Sequence, residues 1–312
     1  MTDEPNYLFG PVASRRLGLS LGVDVIPYKV CTLDCVYCEV GRTTQKTVER
    51  QAYVPIHTIV AQLKRRINQG LHADCISLCG SGEPTLHTGL GDLIDQIRQL
   101  TTIPVAIITN STLLHQADVR RDCAKADIVL PSLDAATAQA YQAINRPHPD
   151  LNANQLIQGL ECFRQEYTGK IWLELFFSDP FNTDTENIKA IHRALGRVKP
   201  DKVQLNTAVR PTADTGVVPL TEQRLLDIAQ KLGSQCEIVA SFSKESVVAE
   251  QSVPKQDLLA MLERRPCSIE DIHKSLGIPL ELARTYLSEL LQEKCIAREQ
   301  QGQTEYYSAI KL

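Results

Sequence analysis

The sequence predicts an α/β protein, a partial or full TIM-like (β/α) barrel with parallel strands, followed by a small C-terminal winged helix-turn-helix domain. Three observations lead to that expectation. Apolar runs of strand length alternate with amphipathic stretches up to about residue 240. Most of the apolar runs stop at Gly, Asn, Pro or Asp, the residues that open a βα loop. At residues 241–253, SFSKESVVAEQSV, the pattern turns polar and aperiodic, and a shorter rhythm follows. Alternation sustained over this length implies a parallel sheet covered by helices. A doubly wound sheet would give a similar string, but no GxGxxG follows the first strand. The expected organisation is a barrel domain over residues 1–240, a linker over 241–253 and a second domain over 254–312.

Strands are expected near Ser20–Ile26, Cys75–Cys79, Val105–Thr109, Ile128–Leu130, Ile171–Phe177, Lys202–Leu205 and Glu237–Ala240, short apolar runs bounded by loop residues. Between them, apolar residues recur with helical spacing over Ile56–Gln69, Leu90–Leu100, Gln116–Ala124, Ala135–Ala143, Gln155–Tyr167, Asn187–Leu195 and Glu222–Leu232. Past Pro254, Lys255–Glu263 reads as a helix. Ser268 caps a second, Ile269–Leu276, with Asp271 three residues on, and Gly277 ends it. Leu280–Lys294 makes a third helix, and Cys295–Arg298 and Glu305–Ala309 read as strands joined around Gly302.

The 312 residues suffice for one large domain and one small one. Hydrophobic content of 43% and charged content of 22% are ordinary for a globular chain, and a net charge of −4 creates no field that recruits nucleic acid or an anionic membrane. No apolar run reaches the roughly 18 residues a membrane span needs. The amino terminus, MTDEPNYLFG, lacks the basic-then-apolar order of a secretion signal, so a cytoplasmic protein is expected. Ten cysteines stand out in such a compartment, where disulfides are rare. Seven are scattered and read as buried structural residues; Cys31, Cys35 and Cys38, in CTLDCVYC, form a compact ligand set.

Closely spaced thiolates hold iron–sulfur cubanes, usually four of them, and structural zinc sites also want four ligands. Only three are present here, with Glu39, Gly41 and Arg42 following instead of a fourth ligand. Three thiolates on a four-iron cluster leave one iron open, the mark of a catalytic rather than a structural site. Zinc with a distant His57 or His87 remains an alternative, without its usual spacing.

CxxxCxxC with Tyr37 before the third cysteine is similar to the signature of the radical S-adenosylmethionine enzymes. The stretch GPVASRRLGLSLGVDVIPYKVCTLDCVYCEVG resembles a subgroup of iron–sulfur oxidoreductases related to wyosine-type transfer-RNA synthases. Gly80-Ser81-Gly82-Glu83-Pro84-Thr85 ends the second strand, as that family's GEP motif does. Ile108-Thr109-Asn110 ends the third, where relatives often carry TNG and this chain has Ser111 for the glycine. Pro131-Ser132-Leu133-Asp134 ends the fourth, Glu174 lies in the fifth, and Asn206 with Arg210-Pro211 follows the sixth. The resemblance spans about residues 8 to 240.

It implies that Cys31, Cys35 and Cys38 hold a 4Fe–4S cluster, and that the amine and carboxylate of S-adenosylmethionine chelate the fourth iron. One electron, from a donor such as flavodoxin or ferredoxin, would cleave the sulfonium to methionine and a 5′-deoxyadenosyl radical, which abstracts hydrogen from the substrate. It implies further that Tyr37 lies near the adenine and that the Gly82–Glu83 backbone receives the methionyl amine. Ser132, Asp134 and Glu174 become candidates for the ribose or the aminocarboxylate, and Asn110 and Asn206 join the cofactor-binding set.

Each candidate also has a plainer reading. Gly80–Pro84 could be an ordinary turn. Asp134 could cap a helix starting at Ala135. Glu174, among apolar neighbours in IWLELFF, needs a ligand or a partner, because an unpaired buried carboxylate is costly. Cys75 and Cys79 share one strand face and read as packing residues. Wyosine synthases build a second cluster from amino-terminal cysteines, and this chain has none before Cys31. Residues 254–312 carry eight Lys/Arg and nine Asp/Glu, so DNA binding is not expected. Three functions follow: a radical enzyme acting on RNA, the same chemistry on a peptide or protein docked by the winged helix, or a non-catalytic redox regulator. Arg15, Arg16, Lys29 and Arg42 would favour RNA if they converged into a basic stripe.

Overall fold

In chain order the strands are β1 (Leu8–Ser14), β2 (Gly18–Asp24), β3 (Val30–Cys31), β4 (Gln45–Lys46), β5 (Cys75–Cys79), β6 (Val105–Thr109), β7 (Ile128–Pro131), β8 (Lys170–Phe176), β9 (Lys202–Asn206), β10 (Cys236–Ile238), β11 (Ile296–Gln301) and β12 (Thr304–Ala309). The helices are α1 (Ile56–Asn68), α2 (Leu90–Leu100), α3 (Ala117–Cys123), α4 (Ala138–Asn145), α5 (Ala153–Glu166), α6 (Thr185–Val198), α7 (Glu222–Leu232), α8 (Lys255–Leu262), α9 (Ile269–Leu276) and α10 (Leu280–Gln292). The structure is a computed structural model and describes residues 5–233, 235–240, 254–302 and 304–310. The expected linker, 241–253, lies outside the described residues.

Eight strands form one sheet in the order β1-β2-β5-β6-β7-β8-β9-β10. From β2 onward every neighbouring pair is parallel, while β1 pairs antiparallel with β2. The strand order follows the chain without a reversal, so the switch point of a doubly wound sheet is missing. Right-handed crossovers that all step the same way put their helices on one face, as in a barrel. Among the described residues β1 and β10 are the edges of this sheet, which makes the barrel partial. Among the described residues, no helix is long and apolar enough to cross a membrane.

Side-chain alternation divides the sheet. Leu21, Val23, Ile76, Leu78, Val105, Ile107, Leu173, Leu175, Val203 and Leu205 belong to the core beneath the helices. The alternate set, which includes Ser20, Ser77, Cys79, Glu174, Gln204 and Asn206, faces the other, inner side. Toward the amino-terminal ends of the strands that inner side is closed by a small apolar cluster of Leu17, Cys75, Ala106 and Leu130 packed with Trp172. Leu17 comes from the β1–β2 turn and acts as a plug. Above it the inner face is polar, and Ser20 donates to Ser77 across the strands at 2.9 Å.

Two expectations are corrected. β1 was not anticipated, because Gly10-Pro11 interrupts its apolar pattern; the strand absorbs them in a register shift between Phe9 and Val12. Gly22 is what lets the Phe9 ring lie on β2, since a Cβ there would collide with it. The fourth helix begins at Ala138 rather than Ala135. Thr137 is its cap, accepting from Ala140 N at 3.3 Å, while Asn187 Oδ1 accepts the N–H groups of Ala136 and Thr137. Asp134 therefore does not cap it.

Beyond Pro254 three helices and an antiparallel β11–β12 hairpin follow in the anticipated order. Ser268 and Asp271 form a reciprocal capping box at the start of α9. These elements share their own core, which includes Leu258, Met261, Ile272, Ala283, Leu287 and Ile296, and α8 and α9 pack on β1.

Candidate active site

The cysteine loop leaves the carboxyl end of β2 and is tied down on two sides. Val36 N donates to Ile144 O at 3.0 Å and Asp34 N to Asn145 O at 3.1 Å, which fastens it to the end of α4. Opposite, Ala213 N donates to Cys38 O at 3.0 Å and Asp214 N to Val36 O at 2.9 Å. Asp214 is itself gripped by Arg42 and Arg146, at 3.1 and 2.7 Å. None of the ten cysteines is in a disulfide.

Each sulfur of the triplet receives a side-chain N–H donor from a different part of the fold. Lys29 Nζ lies 3.1 Å from Cys38 Sγ, Asn110 Nδ2 lies 3.5 Å from Cys31 Sγ, and Asn145 Nδ2 lies 3.4 Å from Cys35 Sγ. Burial pushes the Cys31 thiol up to about 11, Glu83 adding to the rise and Lys29 opposing it, and burial carries Cys35 well above its ordinary value. Burial pulls the Lys29 ammonium down, but Cys38 and Cys31 outweigh it and the net shift is upward. Lys29 is only 3% exposed, so its stability depends on thiolate character in its neighbours.

A 4Fe–4S cluster fits this donor set. Cysteine thiolates are its ligands, and N–H groups aimed at the sulfurs are a usual second layer. Tyr141 adds a further sign: it is 2% exposed, its hydroxyl has no partner among the described residues, and burial, with Cys35, Asp134 and Cys31 adding to it, pushes its phenol above the ordinary value. A buried donor of this kind suits the acceptor-rich surface of a cluster. Among the described residues no three His, Cys, Asp or Glu converge on a single metal ion. The zinc alternative also loses its ligands: His87 engages Val54 O and Gly89 N through its two ring nitrogens, at 2.9 Å each, and His57 sits exposed on α1.

The other anticipated residues divide into those left open and those committed elsewhere. The Ser132 hydroxyl and the Gly82 backbone make no hydrogen bond among the described residues, and both line the carboxyl ends of the strands. Glu83, by contrast, is 2% exposed and its carboxylate is fully engaged: it accepts from Thr85 N and Oγ1, Thr109 Oγ1 and Asn110 N, at 2.6 to 3.1 Å. It braces the end of β5 against the end of β6. Burial raises its carboxyl above the ordinary range despite those donors. Glu83→Ala is expected to cost roughly 3 kcal/mol or more, because several buried donors lose their acceptor, and Glu83→Gln less; denaturant unfolding measures both.

Asp134 is similarly committed. It accepts from Tyr37 Oη, from Asn145 Nδ2 at 2.8 Å and from Phe176 N at 3.0 Å. It thus orients Asn145 toward Cys35 rather than reaching outward. Tyr37 stacks on Phe176, with ring centroids 3.9 Å apart. Asn110 spans three groups, donating to Cys31 and Thr32 while its Oδ1 accepts from Thr112. Ser111 has φ 70°, the left-handed region where glycine is at ease, and it donates to Ser132 O at 2.8 Å. Glu174 finds its partner in Arg16, with Asn206 Nδ2 3.5 Å away on the other oxygen.

The four residues of the expected basic stripe are each engaged within the protein. Arg16 pairs with Glu174, Lys29 with Cys38, Arg42 with Asp34 and Asp214, and Arg15 donates to Val239 O. Sequence reasoning missed Asn145, Tyr141 and the role of Lys29. Asn145 and Tyr141 lie more than 100 positions from the cysteines and reach them only through the packing of α4.

Comparisons with known proteins bear on the family and the fold. GTPase Obg of Brachyspira hyodysenteriae is 34% identical over 289 residues, which is 92% of this chain and 42% of that protein, so the chain spans less than half of that relative. The UPF0026 protein MJ1312 of Methanocaldococcus jannaschii is 32% identical over 311 residues, 97% of this chain and 96% of that protein. The crystal structure of a radical SAM methyltransferase from Sphaerobacter thermophilus shares the fold, with TM-score 0.52 and 17% identity over 72% of this chain and 67% of that one. The family model of the Radical SAM superfamily matches residues 25–194, which takes in the cysteine loop and strands β5 to β8. With more than half of its length matched in this way, the chain belongs to the Radical SAM superfamily.

Proposed function

We propose that the chain cleaves S-adenosylmethionine reductively and abstracts hydrogen from a substrate held on the polar inner face of the barrel. That it is a radical SAM enzyme, with a 4Fe–4S cluster and S-adenosylmethionine as cofactors, follows from the family. The observation that carries the rest is the set of three sulfurs, each with its own N–H donor, beside the open Gly82 backbone. When bound, the cluster supplies the electron that splits the sulfonium bond. Cys31, Cys35 and Cys38 would hold it; Lys29 would offset negative charge at Cys38, and Asn110 and Asn145 would hydrogen-bond to the sulfurs of Cys31 and Cys35. Gly82 and Ser132 offer polar atoms to the methionyl and ribose ends of the cofactor. The Leu17 plug keeps water from entering between the strand ends.

For the substrate we favour a peptide or protein over RNA. The four basic residues that would have followed a phosphate backbone are all engaged within the protein, and the C-terminal elements, which we read as a winged helix, have an acidic balance. Flavodoxin or ferredoxin would serve as electron donor, in a cytoplasmic setting. The test is anaerobic: reconstitute with iron and sulfide, reduce, and record EPR with and without S-adenosylmethionine while assaying 5′-deoxyadenosine. A cubane signal that changes with the cofactor, together with the nucleoside, supports the proposal. An unchanged signal without cleavage removes it and puts the redox regulator first.

A further inference from the structure

The C-terminal unit of α8, α9, α10 and the β11–β12 hairpin has no part in the site as described so far. Its contact with the barrel is nevertheless charged and largely buried at two points, and both lead to Cys38.

The first runs through Arg264, just past the end of α8. Its guanidinium lies 4.3 Å from the Phe9 ring centroid, and its Nε is 3.6 Å from Asp24 Oδ2. The two side chains are 11% and 9% exposed. Asp24 accepts from Ser81 N at 3.1 and 3.2 Å and from Ser81 Oγ at 2.5 Å. Gly80 packs so closely on that carboxylate that a Cβ would collide with it. Ser81 O then accepts from Lys29 N at 2.8 Å, and Lys29 Nζ reaches Cys38. The turn that leads into Gly82 and Glu83 is therefore held by a buried carboxylate whose counter-charge comes from the C-terminal unit.

The second point is Arg210, after β9. Its side chain is 10% exposed and lies between Asp271 of α9, at 3.2 Å, and Glu39, at 3.4 Å. Glu39 is the residue after Cys38. The preceding carbonyl, Val209 O, accepts from Tyr306 Oη of β12 at 3.1 Å. The segment that clamps Cys38 and Val36 from above is thus itself held by the capping box of α9 and by the hairpin.

Exposed ion pairs contribute little, but removing one partner of a buried pair leaves a charge with no compensation. Without Arg264, Asp24 must either take up a proton or let the Ser81 turn relax toward solvent. Without Asp271, Glu39 is the one acidic partner left to Arg210 among the described residues, and Glu39 is the neighbour of Cys38 in the chain.

We propose that the C-terminal unit is a positioning element of the cofactor site: Arg264 fixes the Gly80–Glu83 turn through Asp24, and Asp271 fixes the Cys38 loop through Arg210 and Glu39. This rests on the reading that the turn receives the methionyl end of S-adenosylmethionine.

The experiment uses the full-length, cluster-loaded protein and the variants Arg264→Met, Arg264→Lys and Asp271→Asn. S-adenosylmethionine is titrated against the reduced protein, and the change in the EPR signal is followed, with iron content measured in parallel. Arg264→Met and Asp271→Asn should each weaken binding by roughly tenfold, with iron content retained and a displaced cofactor-bound spectrum. Arg264→Lys should recover most of the loss. If Arg264→Met does not fold, Asp271→Asn carries the test, because an asparagine side chain still accepts from Ser268 N. Variants that bind the cofactor as tightly as the wild type, with its spectrum, overturn the proposal. A wild-type protein whose spectrum ignores S-adenosylmethionine overturns instead the reading of the turn on which it rests.

Discussion

Cys38→Ser is expected to leave the protein with less than about a tenth of the wild-type iron after anaerobic reconstitution, because two thiolates do not hold a cubane. The loss has a second cause in this fold. Lys29 is buried with its ammonium 3.1 Å from Cys38 Sγ, and a serine hydroxyl at that position carries no charge to balance it. Serine should therefore be worse at position 38 than at 31 or 35, where the sulfurs meet neutral asparagines. Cys79→Ser is the control. It lies on the inner face against Ser77 and takes no part in the triplet, so its iron content should match the wild type. Iron and sulfide analysis with the visible absorption spectrum reads all four variants. Equal iron in Cys38→Ser and Cys79→Ser would remove the triplet from its assigned role.

Lys29→Met is expected to keep the cluster and make it harder to reduce. Reduction adds negative charge to the iron–sulfur core, and a buried cation at one of its thiolates stabilises that charge. Methionine fills similar space without it. At a fixed ambient potential the ratio of reduced to oxidised cluster should fall on the order of tenfold, the scale of one charge-assisted hydrogen bond. Asn145→Leu should act in the same direction but less, since it removes a neutral donor. EPR-monitored redox titration gives the answer. A midpoint that stays in place in Lys29→Met would show that the ammonium does not contribute to the electron affinity.

The parts of this protein that were legible in the sequence are those whose signal is local. Strands β5 to β9 are apolar runs with flanking loop residues, and their limits fall within a residue or so of expectation. The three cysteines are legible as a group because their spacing lies within one loop. The illegible parts depend on partners far along the chain. β1 becomes a strand because Phe9 lies on Gly22 and the register slips past Pro11, neither of which its own pattern announces. Asp134 was weighed as a cap or a ligand, yet its role is set by Tyr37, Asn145 and Phe176, three residues from three elements. Glu174 was recognised as needing a partner, but Arg16 could be assigned only once the β1–β2 turn was seen to enter the barrel.

That same turn bears on how reactive chemistry is contained. A primary carbon radical takes hydrogen from whatever weak bond or mobile molecule it meets first. The end of the inner face nearest the Leu17 plug offers packed hydrocarbon and the Trp172 ring. In the proposed reaction, packed side chains would therefore shield that end of the inner face from stray hydrogen sources.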